Sequence, residues 1–89
     1  MKAIITVMGK DRTGIIAMVS NVLLNVNVNI LDISQTTMQG LFTMIMMVDI
    51  SECKVDFAEL SNTLAKEGEK IGTQIVIQHE DIFNNMHKV

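Results

Sequence analysis

Cysteine is nearly absent from this 89-residue chain, and proline, tryptophan and tyrosine are missing altogether. The single thiol, Cys53, excludes an intrachain disulfide framework and a structural zinc site of the multi-cysteine kind, because both need several thiols at set spacings. Three phenylalanines supply the only large aromatic rings, so the chain lacks the side chains on which single-strand nucleic-acid binders stack bases. These absences favour a reducing, cytoplasmic environment.

Positive charge is also scarce. Seven Lys and Arg residues stand against ten Asp and Glu, and the formal net charge of −3 has the wrong sign for binding a nucleic-acid backbone. No run approaches the ~18–20 apolar residues that span a bilayer. Lys10 and Asp11 interrupt the apolar start of the chain before it is long enough for a signal peptide. We therefore expect a soluble, unprocessed protein with no nucleic-acid or membrane partner.

The hydropathy pattern predicts four strands. Runs rich in β-branched and apolar residues cover 2–8, 29–38, 41–50 and 73–79. The second and third runs are joined so tightly that we expect a hairpin with its bend at Gln39-Gly40.

Two amphipathic segments predict helices. Apolar residues recur at helical spacing over 15–25, and Thr13 is the expected N-cap. A second helix is predicted to begin after Asp56 as its cap and to end at Gly68 or Gly72. The predicted order is therefore βαββαβ, which is the ferredoxin-like α+β sandwich with a four-stranded antiparallel sheet and both helices on one face.

The length corresponds to a single domain, residues 1–89. We divide it into a ferredoxin-like core over 1–79 and a C-terminal extension over 80–89. Ile82, Phe83 and Met86 lie at helical spacing in this extension, which predicts a short appended helix.

Both faces of the predicted sheet are rich in apolar residues, although a face without helices is normally polar. In the third strand, Phe42, Met44, Met46, Val48 and Ile50 alternate with a second largely apolar set. An exposed apolar face typically marks an interaction surface. We therefore expect a homo-oligomer, most simply a dimer, which a Met44→Lys or Met46→Lys substitution should dissociate if this strand forms the interface.

The polar segment between the first strand and the first helix contains the chain's one arginine, Arg12. Backbone amides at a helix N-terminus attract anions, and the planar guanidinium suits a carboxylate or phosphate. The alternative is a tight turn in which the glycines serve geometry and the charges are solvated. The candidate residues in this loop are Gly9, Lys10, Asp11, Arg12, Thr13 and Gly14.

Two motifs give the chain a specific resemblance. The run ITVMGKDRTGI contains the pattern G-x-D-x-x-G-I, and NILDISQ contains N-I-x-D-x-x-Q. Nearly the whole chain resembles the ACT-domain family, in particular its small stand-alone bacterial and archaeal members. It is also similar to the amino-terminal part of the glycine-cleavage-system repressor group.

The resemblance implies a non-catalytic regulatory module that binds a small ligand, commonly an amino acid, between two domains. The ligand is expected near the first loop of one copy and the second strand of a neighbour. Arg12 and the helix amides would hold its carboxylate, and Asp11 or Asp32 would accept its ammonium. No cofactor or metal is implied. The strand candidates are Asn29, Ile30, Asp32 and Gln35.

Other functions remain compatible with this topology. An interaction module without a small ligand would use the same residues for packing, and a regulatory protein would need a partner protein because no effector domain is evident. An acylphosphatase-like hydrolase would use Arg12 to hold phosphate and Asn29 to orient water. That enzyme class has a glycine-rich cradle before its arginine, which is missing here, and Asp11 would repel a phosphate.

Overall fold

The structure is a computed structural model that describes residues 1–82. It confirms the predicted ferredoxin-like βαββαβ order. The elements are β1 (Lys2–Gly9), α1 (Arg12–Asn25), β2 (Asn29–Met38), β3 (Leu41–Asp49), α2 (Phe57–Lys70) and β4 (Gln74–His79).

The four strands form one antiparallel sheet in the order β2-β3-β1-β4. Since β1 and β2 both run antiparallel to β3, they point in the same direction. The β1–α1, β2–β3 and α2–β4 connections therefore meet at one end of the sheet, which we call the loop end (residues 9–11, 39–41 and 71–73). β2 and β4 are the two edges of the sheet.

One face of the sheet, the helix face, packs against both helices, and the core lies between these layers. Strand side chains alternate between the two faces, so every second residue of β1 and β3 enters the core. The helices contribute residues at three- and four-residue spacing. The fully enclosed members are Ala3, Ile5, Val7, Ile15, Val19, Leu23, Phe42, Met44, Met46, Val48, Leu60 and Leu64.

The expectation that Met44 and Met46 could form an oligomer interface is wrong. They pair with Val7 and Ile5 of β1 and are 2% and 1% exposed beneath the helices. The period-2 alternation of β3 places them in the same set as Phe42, which is also in the core. A lysine at either position would put a charge into the core rather than into an interface.

The other face, the open face, has neither α1 nor α2 over it. Ile4 is buried within the sheet surface, while Ile45 is 39% and Val76 44% exposed. Met8 and Met47 lie on the same face, since each is one residue away from a core residue. The predicted apolar character of both faces is therefore confirmed.

The hairpin bend lies at the predicted residues. Gln39 and Gly40 have φ values of 51° and 82°, and positive φ at both central positions is what the tight type I′ hairpin turn requires. A register shift between Ile30 and Asp32 marks a β-bulge in β2. Because one extra residue is inserted there, every later residue of β2 lies on the opposite face from the one that simple alternation assigns.

The predicted cap of α2 is confirmed, but the predicted cap of α1 is wrong. Asp56 Oδ1 accepts the Glu59 N–H at 2.8 Å. In α1 the N-cap is Asp11, whose Oδ1 accepts the Gly14 N–H at 3.0 Å, and Thr13 lies inside the first turn. Both carboxylates are placed three residues before the N–H that they accept, which is the favoured capping geometry.

The α2–β4 turn contains Gly72 at φ 65°, as expected for a glycine that ends a helix. Residues 80–82 are helical, which is the start of the predicted extension, and Phe83 and Met86 lie outside the described residues. Within residues 1–82, neither helix has the length and apolarity needed to cross a membrane.

Candidate functional site

The glycines of the β1–α1 loop serve packing. A Cβ at Gly9 would lie 2.6 Å from Thr73 Oγ1 and 2.9 Å from Ile15 Cδ1. Only glycine therefore allows the end of β1 to lie this close to these two residues. A Cβ at Gly14 would collide with the Asp11 carboxylate that caps the helix. The geometric interpretation of these two glycines is therefore supported, and the side-chain chemistry of the loop rests on the residues between them.

Arg12 links the two sequence motifs within one chain. Its Nη2 donates to Gln35 Oε1 at 3.2 Å, and its Cζ lies 5.9 Å from the ring centroid of Phe42. Gln35 pairs with Met44, so this contact is on the helix face, at the exposed edge strand. The β-bulge is what directs Gln35 to this face. Phe42 was not recognised from sequence as part of the site, because the pattern indicated only that it belongs to one of the two alternating apolar sets of the third strand.

The arginine has no anionic partner within residues 1–82. Its one hydrogen-bond acceptor there is a neutral amide, and its other neighbour is an aromatic face. A guanidinium carries five N–H donors, so most of them are available to a ligand. The site is therefore a cation held in place by neutral groups, which suits an added carboxylate or phosphate.

The other strand candidates lie elsewhere in the same chain. Asp32 pairs with Met47 on the open face, and its Oδ1 accepts the Ile33 N–H at 2.9 Å. Asn29 and Ile30 lie at the start of β2, opposite the loop end. Gln35 lies six positions after Asn29, a distance of about 20 Å along a strand. One chain therefore brings Arg12 and Gln35 together but does not bring these three residues to them.

Gly9, Lys10 and Asp11 line a different surface, on the open-face side of the loop end. We call it the loop-end groove, and it has a volume of about 520 Å³. Several residues that line the groove are not part of the two motifs. For Met8 alone, the alternation of the first strand indicated a position on the face away from Val7. The additional residues are Met8, Leu41, Ile71, Gly72 and Gln74.

The hydrolase arrangement is not assembled within the chain. Arg12 contacts Gln35, whereas Asn29 lies about 20 Å away along the strand.

Among residues 1–82, no cluster of three or more His, Cys, Asp or Glu side chains has a metal-binding arrangement. Hydrogen bonds from Ser51 lower the pKa of Asp49, but that carboxyl is at the far end of the sheet from the loop.

Comparison with known proteins identifies close relatives. A family model described as an ACT domain matches residues 2–78. The UPF0237 protein MJ1558 of Methanocaldococcus jannaschii is 57% identical over 88 residues, which cover 99% of this chain and 98% of that protein. The structure of an ACT domain protein from Streptococcus pneumoniae matches with a TM-score of 0.80 and 46% identity, over 93% of each chain.

The glycine cleavage group that the sequence resembles is also represented among solved structures. A structure described as a candidate glycine cleavage system transcriptional repressor has a TM-score of 0.71 and 23% identity. The match covers 86% of this chain and 44% of that one, and at this identity it shows a common fold. ACT domains form a family of regulatory ligand-binding domains, and the UPF0237 relatives carry no enzyme name. The chain belongs to the ACT-domain family.

Proposed function

We propose that this chain is a non-catalytic regulatory protein that binds an amino acid at an interface between two subunits. The observation that carries the proposal is the Arg12 side chain, held by Gln35 and Phe42 beside an exposed edge strand with no carboxylate partner in residues 1–82. An amino acid supplies the missing carboxylate. A charge-assisted, bidentate contact of this kind is among the stronger hydrogen-bonded interactions in proteins.

The position of Arg12 supports a ligand that lies between subunits. All ten residues of β2 are exposed, so this edge offers a long surface to a second copy. Within one chain Asp32 lies on the opposite face of the sheet from the Arg12–Gln35 contact, and Asn29 and Ile30 lie at the other end of β2. In the proposed assembly they come from the neighbouring subunit, and Asp32 receives the ammonium group.

The α1 amides play a smaller part in this proposal than the sequence alone indicates. The Asp11 carboxylate already occupies the helix N-terminus and accepts the Gly14 N–H. A ligand carboxylate at the same point would meet a like charge. We therefore place the carboxylate on the guanidinium of Arg12 and leave the helix N-terminus to its cap.

The regulatory output would be a shift in assembly. A ligand that binds only the assembled dimer stabilises the dimer in proportion to its differential affinity for the two states. A partner protein in the cytoplasm would then recognise the changed surface. The protein itself performs no reaction in this scheme.

A thermal-shift screen against the twenty amino acids tests the proposal, with the oligomer mass followed by analytical ultracentrifugation. A ligand of the folded state raises the unfolding midpoint. Arg12→Ala should then weaken binding of the active amino acid by about tenfold or more, since a hydrogen bond to a charged group contributes about 1.5–3 kcal/mol. Lys66→Ala is the control, because Lys66 is an exposed cation on α2, away from the site.

Three results would each refute part of this function. If no amino acid raises the midpoint, the chain is not an amino-acid sensor. If one does so equally in the parent protein and in Arg12→Ala, the arginine is not its carboxylate site. A mass equal to that of the monomer in the presence of a bound amino acid would remove the subunit interface from the scheme.

The open face favours a second candidate, a protein-interaction module with no small ligand. Ile45, Met47 and Val76 lie on this face of the sheet, and an apolar surface of this kind typically binds a protein. A silent ligand screen with a stable dimer that Ile45→Lys dissociates would support it. A parent protein that stays monomeric at micromolar concentration would oppose homodimerisation in both candidates.

A further inference from the structure

The open face of the sheet has an uncharged middle. The pairing of the four strands arranges its side chains in rows that cross the sheet, and three successive rows cover the middle. Within these rows Asp32, on the edge strand β2, is the one charged residue. A scarcity of charge is what distinguishes the centre of a protein interface from the remaining surface. The rows are Asp32-Met47-Ile4-Gln78, Ser34-Ile45-Thr6-Val76 and Thr36-Thr43-Met8-Gln74.

Apolar side chains in this middle remain partly uncovered. Ile45 is 39%, Val76 44% and Met8 39% exposed, although the other face of the same sheet is a closed core. Packing against a second apolar surface would remove them from water. When two sheets pack face to face, the side chains of both inner faces fill a layer about 10 Å thick. The open face is therefore suited to packing against a second sheet.

The charged residues of the face gather in the next row, at the end of the sheet opposite the loop end. There Lys2 of β1 pairs in register with Asp49 of β3, and both side chains are accessible to solvent. The contacts of the Asp49 carboxylate with the Ser51 N–H and the Met1 ammonium both use Oδ1. A carboxylate accepts further bonds through its second oxygen, so Asp49 can bind another cation.

This charged row is complementary to a second copy of itself. A two-fold axis that runs along the strands, between β1 and β3, lays β1 of one copy over β3 of the other. Lys2 of each copy then faces the partner's Asp49, because a two-fold interface repeats every contact in reciprocal form. Two equivalent ion pairs form at one end of the interface.

The other aligned arrangement is unfavourable. A two-fold axis across the strands would place Lys2 and Asp49 over the loop end of the second copy, where Met38 and Leu41 present exposed apolar side chains on the same face. Charges that lose water without gaining a partner destabilise an interface strongly. Asp32 lies at the rim in both arrangements, since β2 is an edge of the sheet. The Lys2–Asp49 row thus selects the axis along the strands.

The open face is large enough for a stable pair. The eight residues of β1 span about 27 Å, and four strands spaced about 4.8 Å apart span about 19 Å. Each copy therefore contributes about 500 Å² in projection, and a pair buries about 1,000 Å² or more because side chains stand above the sheet. Specific protein interfaces begin at about this size.

We infer that the open face binds the open face of a second copy of this chain, with the two-fold axis along the strands and Lys2 of each copy paired with the partner's Asp49. The helices lie on the outside of this pair. The inference goes beyond the proposed function, because it needs no ligand and leaves the β2 edge uncovered. If both surfaces are used, the assembly contains four chains.

Sedimentation equilibrium of the full chain tests the open face as an interface. Ile45→Lys should raise the dissociation constant of the pair about 100-fold or more, since it places a charge at the centre of the contact. Val76→Lys, in the same row, provides a second variant. Ala65→Lys is the matched control, because it adds a lysine at an exposed position of α2 and should leave the mass unchanged. Circular dichroism verifies that each variant is folded.

Charge reversal tests the axis. Lys2→Glu and Asp49→Lys should each raise the dissociation constant about tenfold or more, because each replaces two attractive pairs by two repulsive ones. An equimolar mixture of the two variants should assemble again, since one copy then presents only negative charge in this row and the other only positive charge. Lys66→Glu, a reversal on the exposed surface of α2, should have no effect.

The inference is overturned if the parent protein is monomeric at high micromolar concentration, which would leave the open face to a different protein. It is also overturned if folded Ile45→Lys and Val76→Lys keep the mass of the parent, or if the mixture of charge-reversed variants stays dissociated. An amino-acid-dependent dimer that Ile45→Lys leaves intact would support the proposed function and remove the open-face pair. Dissociation by Ile45→Lys with no amino acid bound would support the open-face pair alone.

Discussion

The N-cap of α1 leads to a stability prediction that differs from the one helix propensity alone would give. Gly14 lies in the first turn of a helix, where replacing glycine by alanine usually stabilises a protein by about 0.4–1 kcal/mol. Here the added Cβ would collide with the Asp11 carboxylate. Because that carboxylate is the end of a side chain, it can move away, but it then loses its hydrogen bond to the Gly14 N–H.

The magnitudes nearly cancel in the parent protein. Loss of an aspartate N-cap costs about 1 kcal/mol of the free energy of unfolding. Gly14→Ala should therefore change stability by less than about 0.5 kcal/mol, since the lost cap offsets the usual gain. In an Asp11→Ala background there is no carboxylate to displace, and the same change should stabilise the protein by about 0.4–1 kcal/mol. The coupling between the two positions is thus about 1 kcal/mol.

Urea unfolding of the parent, both single variants and the double variant measures this coupling. Asp56→Ala is the matched control, because Asp56 caps α2 in the same way but Glu59 occupies the position equivalent to Gly14. The effects of Asp56→Ala and Gly14→Ala should simply add. Equal stabilisation by Gly14→Ala in the presence and absence of Asp11 would refute the steric argument.

Two further predictions concern the sheet. Met44→Lys should unfold the chain because it places a charge in the core, whereas Ile45→Lys, one residue away on the open face, should leave a folded protein; circular dichroism during thermal unfolding distinguishes them. The second concerns Asp49, whose pKa is lowered from 3.8 by hydrogen bonds from Ser51. Because the pKa of Asp49 is lower in the folded state, its ionised form stabilises the fold at pH values above the ordinary pKa. This stabilisation is lost as the pH falls through the folded-state pKa. Asp49→Asn should therefore flatten the loss of stability below about pH 4, and an unchanged acid limb in urea titrations would contradict this.

The hydropathy pattern was sufficient for most of the fold. Period-2 and helical spacings located the elements, and Gln39-Gly40 located the hairpin, because these features are encoded by residues close together in sequence. The cap of α1 was misplaced at Thr13 for a similarly local reason. Aspartate and threonine are both good caps, and the choice between them depends on where the chain leaves β1.

The candidate site was less accessible to sequence reasoning. Arg12 and Gln35 belong to the two recognised motifs, but their contact in one chain depends on the β-bulge between Ile30 and Asp32. The same bulge sends Asp32 to the open face. A bulge adds no characteristic residue here, so the spacing N-I-x-D-x-x-Q does not reveal which side chains share a face. The loop-end groove cannot be located from the sequence either, because the apolar residues that line it come from segments far apart in the chain.

The hairpin turn at Gln39-Gly40 has a consequence for how the strands align. In a sheet with one apolar face, a slip of one residue exposes the apolar set, so burial itself selects the correct alignment. β3 is apolar on both faces, and such a slip would exchange one apolar set for another. Positive φ at both turn residues instead fixes which residues of β2 and β3 face each other. Alignment is thus specified locally at the turn, and a single inserted residue there would misalign the hairpin with little penalty from burial to correct it.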